Sequence, residues 1–483
     1  CNTLWLNPCF DSPFQDAGYD VRDFRKVAPR YGTNEDLYRL FHDAHARGMR
    51  VILDLVAGHT SLDHPWFVES ARPERNAFSD YYIWTNTVWD EVPPNLRFIN
   101  GYSDRDGQFH VNFFHSQPAL NYGFAEPDPR YPWQQPVTAP GPRAVRRELM
   151  DIMKFWLDAG ADGFRVDMAF SLVKGPGNRA ATVSFWQEIR QWMRRNWPEA
   201  ALIAEWGNPT AAVEAGFDAD FMIHFGSPGY TSLFRKHYPD HLGMGQSADA
   251  FSYFDERGKG TVTTFLREYT AHLHSTSGKG LVSIPSGNHD TAPRLGLDRD
   301  LADLKVIFTF LLTQPGLPVI YYGDEIGMRG VPGLASEEGG YVRTQVRTPL
   351  PWEPGQTNAG FSSASPHELY LPLEEPTPGN RGEELREHIR SLLALRAREP
   401  ALTAEGDFRV LHAGKGHPLF AYLRSSGTAA FLVALNPSKD EQTGRLSDLP
   451  AGTWKPVGEQ AFDLRGDALT LPGKSSVLLR RQE

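Results

Sequence analysis

Short apolar runs alternate with amphipathic stretches along most of the chain. The first run, TLWLNP (3–8), reads as a buried strand. Leu37, Leu40, Phe41 and Ala44 then recur at i, i+3, i+4 and i+7, one face of a helix. This predicts a helix over 35–47, with Asn34 as its N-cap and Gly48 as its stop. VILDLV (51–56) reads as a strand buried on both sides. Val145, Leu149, Ile152, Met153 and Trp156 share one stripe, which predicts a helix over 145–158 ending at Gly160. GFRVD (163–167) follows as a strand. A helix over 184–196 stops before Pro198 and leads into ALIAEW (201–206). FMIHF (221–225) and LVSIP (281–285) are further strands. A helix over 301–313, stopped by Pro315, leads into LPVIYY (317–322).

Seven apolar strands separated by helices indicate a parallel sheet with both faces covered. A closed (β/α)8 TIM barrel is the leading architecture, ahead of an open doubly wound sheet. No Gly-rich phosphate loop follows any strand, which weakens a nucleotide-binding reading. Two segments break the rhythm. Residues 61–118 have no strong helical period and many aromatics, among them Trp66, Phe67, Tyr81, Tyr82, Trp84 and Phe109. They read as an inserted domain. Residues 402–483 turn strand-like: LFAYLR (419–424) and AAFLVALNP (429–437), separated around Ser-Ser-Gly, predict a hairpin in a small C-terminal β domain. The barrel would then comprise 1–60 and 119–401.

Composition narrows the function. With 40% hydrophobic and 22% charged residues among 483, the chain is an ordinary globular protein. No run of about 18 apolar residues occurs, so no membrane partner is expected. A net charge of −10 argues against nucleic acid, which requires a basic face. Cys1 and Cys9 are the only cysteines, too few for a disulfide framework or a Cys-based zinc site. The chain opens directly on a strand, with no start methionine or signal peptide, which leaves cytoplasmic and secreted locations both open. Oligomeric state is not legible.

Polar groups stand at the ends of successive strands: Asp54 and His59, Arg165 and Asp167, Glu205, then Asn288, His289 and Asp290. In a parallel barrel these ends share one rim, where active sites form. One Asp after a strand is commonly a cap or turn former. Four such places, carrying carboxylates, His and Arg, point to chemistry. Arg165 and Asp167 are two apart on a strand and face the same side, so the guanidinium would keep the aspartate ionised. Glu205, beside Trp206 and with Asp290 as a neighbouring anion, would have a raised pKa suited to a general acid. Two carboxylates flanking a bond suit retaining glycoside hydrolysis.

These residues lie in motifs that resemble the α-amylase superfamily, glycoside hydrolase family 13. DLVAGHTS (54–61), GFRVDMAF (163–170), IAEWGNP (203–209) and SGNHD (286–290) occur in the family's order. DAGYD (16–20), SQPALN (116–121), LPVIYYGDEIGM (317–328) and GGYVRTQVRTPLPW (339–352) support them. The resemblance implies a (β/α)8 barrel with an inserted domain B and a C-terminal β-sandwich. It implies Asp167 as nucleophile, Glu205 as general acid/base and Asp290 as a third carboxylate that binds sugar hydroxyls. Arg165 would orient Asp167, His59 and His289 would bind hydroxyls, and Tyr19 would stack on the sugar. Asp16 would anchor the non-reducing end, with Arg347 as its partner. RTPLPW and LYLP (369–372) are more similar to α-glucosidases and trehalose synthases than to endo-amylases. The implied substrate is an α-glucan or oligosaccharide. Gly58 replaces the Asn ligand of calcium-dependent amylases, and Ala119 and Met168 also depart from common family residues. The remaining implied metal, Ca2+ or Mg2+, would bind through a loop upstream of TLWLNP. The family's first βα unit would lie there too, so the chain is expected to begin one unit into the barrel.

Overall fold

The computed structural model describes residues 1–101, 103–234, 251–296, 299–350, 381–414 and 416–482. The LYLP stretch and the last two residues of RTPLPW lie outside them. The chain divides into two compact units. One comprises Cys1–Trp206, Thr210–Asp220 and Glu338–Gly340; the other comprises Gly207–Pro209, Phe221–Glu337 and Tyr341–Glu483.

The first unit is built on parallel strands β1 (Thr3–Leu6), β2 (Arg50–Leu55), β3 (Gly163–Val166), β4 (Ala201–Ala204) and β5 (Ala219–Phe221), whose last residue belongs to the second unit. Helices α1 (Asn34–His45), α2 (Pro140–Asp158) and α3 (Asn178–Asn196) cross between them. Register decides which side chains share a face. Trp5 pairs with Ile52, Asp54 with Arg165, and Arg165 with Ile203. Counting by twos along each strand puts Trp5, Asp54, Arg165, Asp167 and Glu205 on one face. The alternate residues Val51, Leu53, Leu55, Phe164, Val166, Leu202 and Ala204 are buried in the other layer with Trp156 and Trp186 of the helices. The sheet therefore reads as continuously apolar in sequence, yet carries its chemistry on one side.

Helix starts follow local rules. Thr33 and Asp36 form a capping box for α1. α2 begins earlier than its apolar stripe predicts, with Pro140 supplying the preset φ of a first turn. Between β2 and α2, the segment holds a short helix (Pro65–Ser70) capped by His64 and a hairpin of Phe98–Asn100 with Gln108–His110. Its aromatics are mostly core: Phe67 packs on Tyr82, Trp84 and Phe109.

The second unit holds parallel strands β6 (Leu281–Pro285) and β7 (Leu317–Val319), with helices α4 (Thr263–Thr276), α5 (Leu301–Thr313) and α6 (Arg381–Arg398). The strand expected over 221–225 is displaced: β5 spans Ala219–Phe221, and Met222 to His224 are buried without continuing it. Asp220 hid the strand's start. Its carboxylate is fully buried because it accepts the Trp206 N–H at 2.8 Å, a satisfaction no hydropathy pattern reports.

The C-terminal strands follow the expected hairpin. β8 (Asp407–Ala413), β9 (Phe420–Ser426), β10 (Ala429–Asn436), β11 (Gln442–Arg445), β12 (Thr453–Pro456), β13 (Asp463–Arg465), β14 (Ala468–Leu471) and β15 (Ser475–Gln482) form two antiparallel sheets. Their orders are β8-β9-β10-β15-β12 and β11-β14-β13. Ser426 pairs with Ala429, so Gly427 at φ 58° makes the tight turn. Arg424, fully buried, donates to the carbonyls of Thr403, Gly406, Asp407 and Thr313. No described helix is long and apolar enough to cross a membrane.

Candidate active site

In the first unit the centre of the polar face is Arg165, only 2% exposed. One nitrogen, Nη1, donates to Asp54 Oδ1 at 2.9 Å, to Asp54 Oδ2 at 3.1 Å and to Asp167 Oδ1 at 3.3 Å. The other, Nη2, lies 2.5 Å from Glu205 Oε1. Arg165 was expected to orient Asp167. Its shorter contacts are to Asp54 and Glu205, so one guanidinium holds three carboxylates. A planar fork presents two nitrogens to different carboxylates at once, which a lysine's single nitrogen does not. Burial alone works against the Arg165 charge, but Asp54, then Glu205, Tyr19 and Asp167, hold it well above the usual arginine range. Burial raises the Asp54 carboxyl above its ordinary range, against the pull of Arg165 and hydrogen bonds from Tyr19 and Trp5.

Asp54 is satisfied on every side. Tyr19 OH donates to Oδ2 at 2.9 Å and Trp5 Nε1 at 3.2 Å. The Trp5 ring also lies 5.0 Å from the Arg165 guanidinium. Just past Asp167, Met168 adopts φ 41°, which turns its N–H onto Glu205 Oε2 at 2.9 Å. Glu205 is thus fixed from two directions, by the Arg165 guanidinium and by the Met168 N–H.

Asp16 accepts Gln117 Nε2 at 2.8 Å. His59 Nε2 meets Tyr19 O at 3.0 Å, and Nδ1 meets Asn112 Nδ2 at 3.2 Å. Asn112 donates, so Nδ1 accepts and the ring proton sits on Nε2. Burial lowers the His59 pKa to about 4, and the ring is neutral at neutral pH. Both its nitrogens have protein partners, so a sugar hydroxyl would have to replace one. A Cβ at Gly58 would stand 2.5 Å from Asn112 Nδ2, so a larger residue there would have to displace the Asn112 side chain. Lys174 Nζ binds Asn112 Oδ1 at 3.1 Å and the Ser171 carbonyl. Among the described residues no group of three or more His, Cys, Asp or Glu is arranged to hold a metal.

In the second unit the cluster forms around Asp290. Arg343 Nη1 and Arg347 Nη2 both donate to its Oδ1, at 2.7 and 3.0 Å, and His289 Nε2 is 3.3 Å from Oδ2. Burial would raise this carboxyl; the charges of His289, Arg343, Arg347 and His224 outweigh it and hold it well below the usual range. Arg347, expected as a partner of Asp16, donates to Asp290 and to the His289 carbonyl. Arg343 was not singled out, although its position four before Arg347 in YVRTQVR was the available signal. Behind the loop, Ser286 Oγ donates to Asp324 Oδ2 at 2.7 Å, and Arg294 reaches the Tyr322 carbonyl at 2.6 Å.

Burial lowers His64 and His110 to about 3 as well. An unfolded histidine titrates near 6.5. Below that, the unfolded chain binds protons that these folded rings refuse, so stability falls as pH falls toward about 4. The denaturation midpoint is expected to drop between about pH 7 and about pH 5. His64→Asn, which keeps an acceptor for the Trp66 N–H, should make the drop shallower; an unchanged slope would assign the acid sensitivity to other groups.

Carboxylates held by arginines at the ends of parallel β/α strands are groups suited to cleaving glycosidic bonds. The model of the α-amylase catalytic domain matches residues 1–405, and the chain belongs to that family, glycoside hydrolase family 13. It is 32% identical over 466 residues to the trehalose synthase/amylase TreS of Mycobacterium tuberculosis, covering 87% of this chain and 72% of that protein. It is 28% identical over 517 residues to the oligo-1,6-glucosidase of Heyndrickxia coagulans, covering 94% of this chain and 87% of that one. A crystal structure of a MutB mutant in complex with the substrate sucrose shares the fold, with a TM-score of 0.79 at 24% identity over 100% of this chain and 92% of that one.

Proposed function

We propose that this family 13 enzyme is an exo-acting α-glucosidase working by double displacement on short malto-oligosaccharides or related α-glucosides. The observation that carries the reading is the pair of buried carboxylates, Asp167 and Glu205, held on one guanidinium. Sharing it places both carboxylates beside one group, and retention needs two carboxyl groups about 5–5.5 Å apart. Asp167 attacks the anomeric carbon as the glycosidic C–O bond breaks, and Glu205 gives its proton to the leaving oxygen. Glu205 then takes a proton from water, whose oxygen displaces Asp167 from the ester. Tyr19 stacks on the reacting sugar, His59 takes one of its hydroxyls by exchanging a protein partner, and Asp16 anchors its non-reducing end. In the second unit, Asp290, kept anionic by its arginines, and His289 are groups able to bind sugar hydroxyls.

A second reading is favoured by the similarity to TreS: the same glycosyl ester is passed to a sugar instead of water, giving a transglucosylase or trehalose-forming isomerase. Incubation with maltose and with an end-blocked maltoheptaoside separates these. Glucose alone from maltose, with the blocked substrate intact, is the expected result. Trehalose or longer oligosaccharides from maltose would establish transfer. Rapid cleavage of the blocked substrate would make the enzyme an endo-amylase.

A further inference from the structure

The loop from Ser12 to Tyr19 carries two of the proposed sugar-binding residues, and it holds a shape the chain would not keep unaided. Phe14 and Ala17 sit at φ 59° and 49°, a region that side chains with a Cβ disfavour. The group that fixes this shape is the next residue, Asp20, whose side chain is fully buried. Its Oδ1 accepts Ser12 Oγ and the Asp16 N–H, both at 3.0 Å, and its Oδ2 accepts the Gln15 N–H at 2.8 Å. Ser12 Oγ in turn accepts the Phe14 N–H at 2.9 Å, and the Tyr19 N–H closes the turn onto the Asp16 carbonyl at 2.9 Å. The loop is thus wound around one carboxylate. It is also braced from outside within the same unit. Arg30 lies 3.4 Å over the Phe14 ring and reaches Glu338 at 2.6 Å. Gly339 approaches so closely that a Cβ there would stand 2.3 Å from the Gln15 carbonyl.

We propose that Asp20 is a positioning residue: its buried carboxylate folds the loop so that Asp16 and Tyr19 are presented to the sugar as one unit. The inference rests on the reading that Asp16 and Tyr19 bind substrate. A carboxylate accepts three donors at once, whereas an amide of the same shape turns an –NH2 toward one of them. Asp20→Asn therefore keeps the volume and breaks the winding.

The test measures kcat and KM on p-nitrophenyl α-glucoside for Asp20→Asn, Asp16→Asn and the double variant, with a denaturation midpoint for each. Asp20→Asn is expected to lower kcat/KM about 10- to 100-fold, mainly through KM. The double variant should fall short of the product of the two single losses by about tenfold or more, because both act on one binding element. Ser12→Ala, which removes only one of the three donors, should show the same shortfall with Asp16→Asn on a smaller scale. Asp20→Asn activity within about twofold of the parent, or losses that simply multiply, would overturn the proposal. Unchanged activity in Asp16→Asn would instead remove the binding reading, and the inference with it.

Discussion

Asp167→Asn is expected to lower kcat/KM by about three orders of magnitude or more, with every leaving group tested. An amide cannot supply the nucleophilic oxygen of the first displacement, so no choice of substrate bypasses the block. Glu205→Gln should lose about as much on maltose but far less on α-glucosyl fluoride, whose leaving group needs no proton. Added azide should then speed turnover of that variant, since an anion attacks the glycosyl ester without general-base help. Opposite patterns for the two residues would exchange their roles, and near-parental turnover of either would sink the assignment. Kinetics on the two substrates, with and without azide, check all of this.

Arg165→Met should produce the largest stability loss of any single change in the first unit, about 3–5 kcal/mol by denaturant unfolding. Three carboxylates share this guanidinium, and Asp54 and Arg165 are nearly solvent-free. Removing the cation leaves buried charge without its partner, which costs more than the intact pair contributes. The pH dependence has a definite sign. Burial already raises the Asp54 carboxyl, and Arg165 opposes that rise. Without Arg165 the folded protein binds a proton at Asp54 more tightly than the unfolded chain does. The deficit is therefore largest at neutral pH and shrinks as pH falls and Asp54 takes up its proton. A deficit that does not depend on pH would point to lost packing against Trp5 instead of lost charge compensation.

The strands of the parallel sheet were legible because each is a short apolar run ended by a polar residue, the pattern of strands covered on both faces. The residues at their ends were legible for the same reason. What joins them was not. Asp54 and Arg165 are 111 positions apart, and their pairing follows from strand register, which no local period encodes. Trp5 read as one more apolar residue of its strand, yet its indole N–H serves Asp54. Arg343 read as part of a family motif, and only the folded loop brings it onto Asp290 beside Arg347. The displaced β5 has a related cause: the buried Asp220 within it accepts the Trp206 N–H, a pairing that no local apolar pattern shows.

On the proposed mechanism Asp167 carries the sugar covalently. The most direct measurement is mass spectrometry of the enzyme after reaction with a fluorinated α-glucosyl fluoride that forms the ester quickly and hydrolyses slowly. A mass increase of one fluoroglucosyl group, located by fragmentation on Asp167, is expected. An adduct on another residue, or no adduct together with a product of inverted configuration, would contradict it.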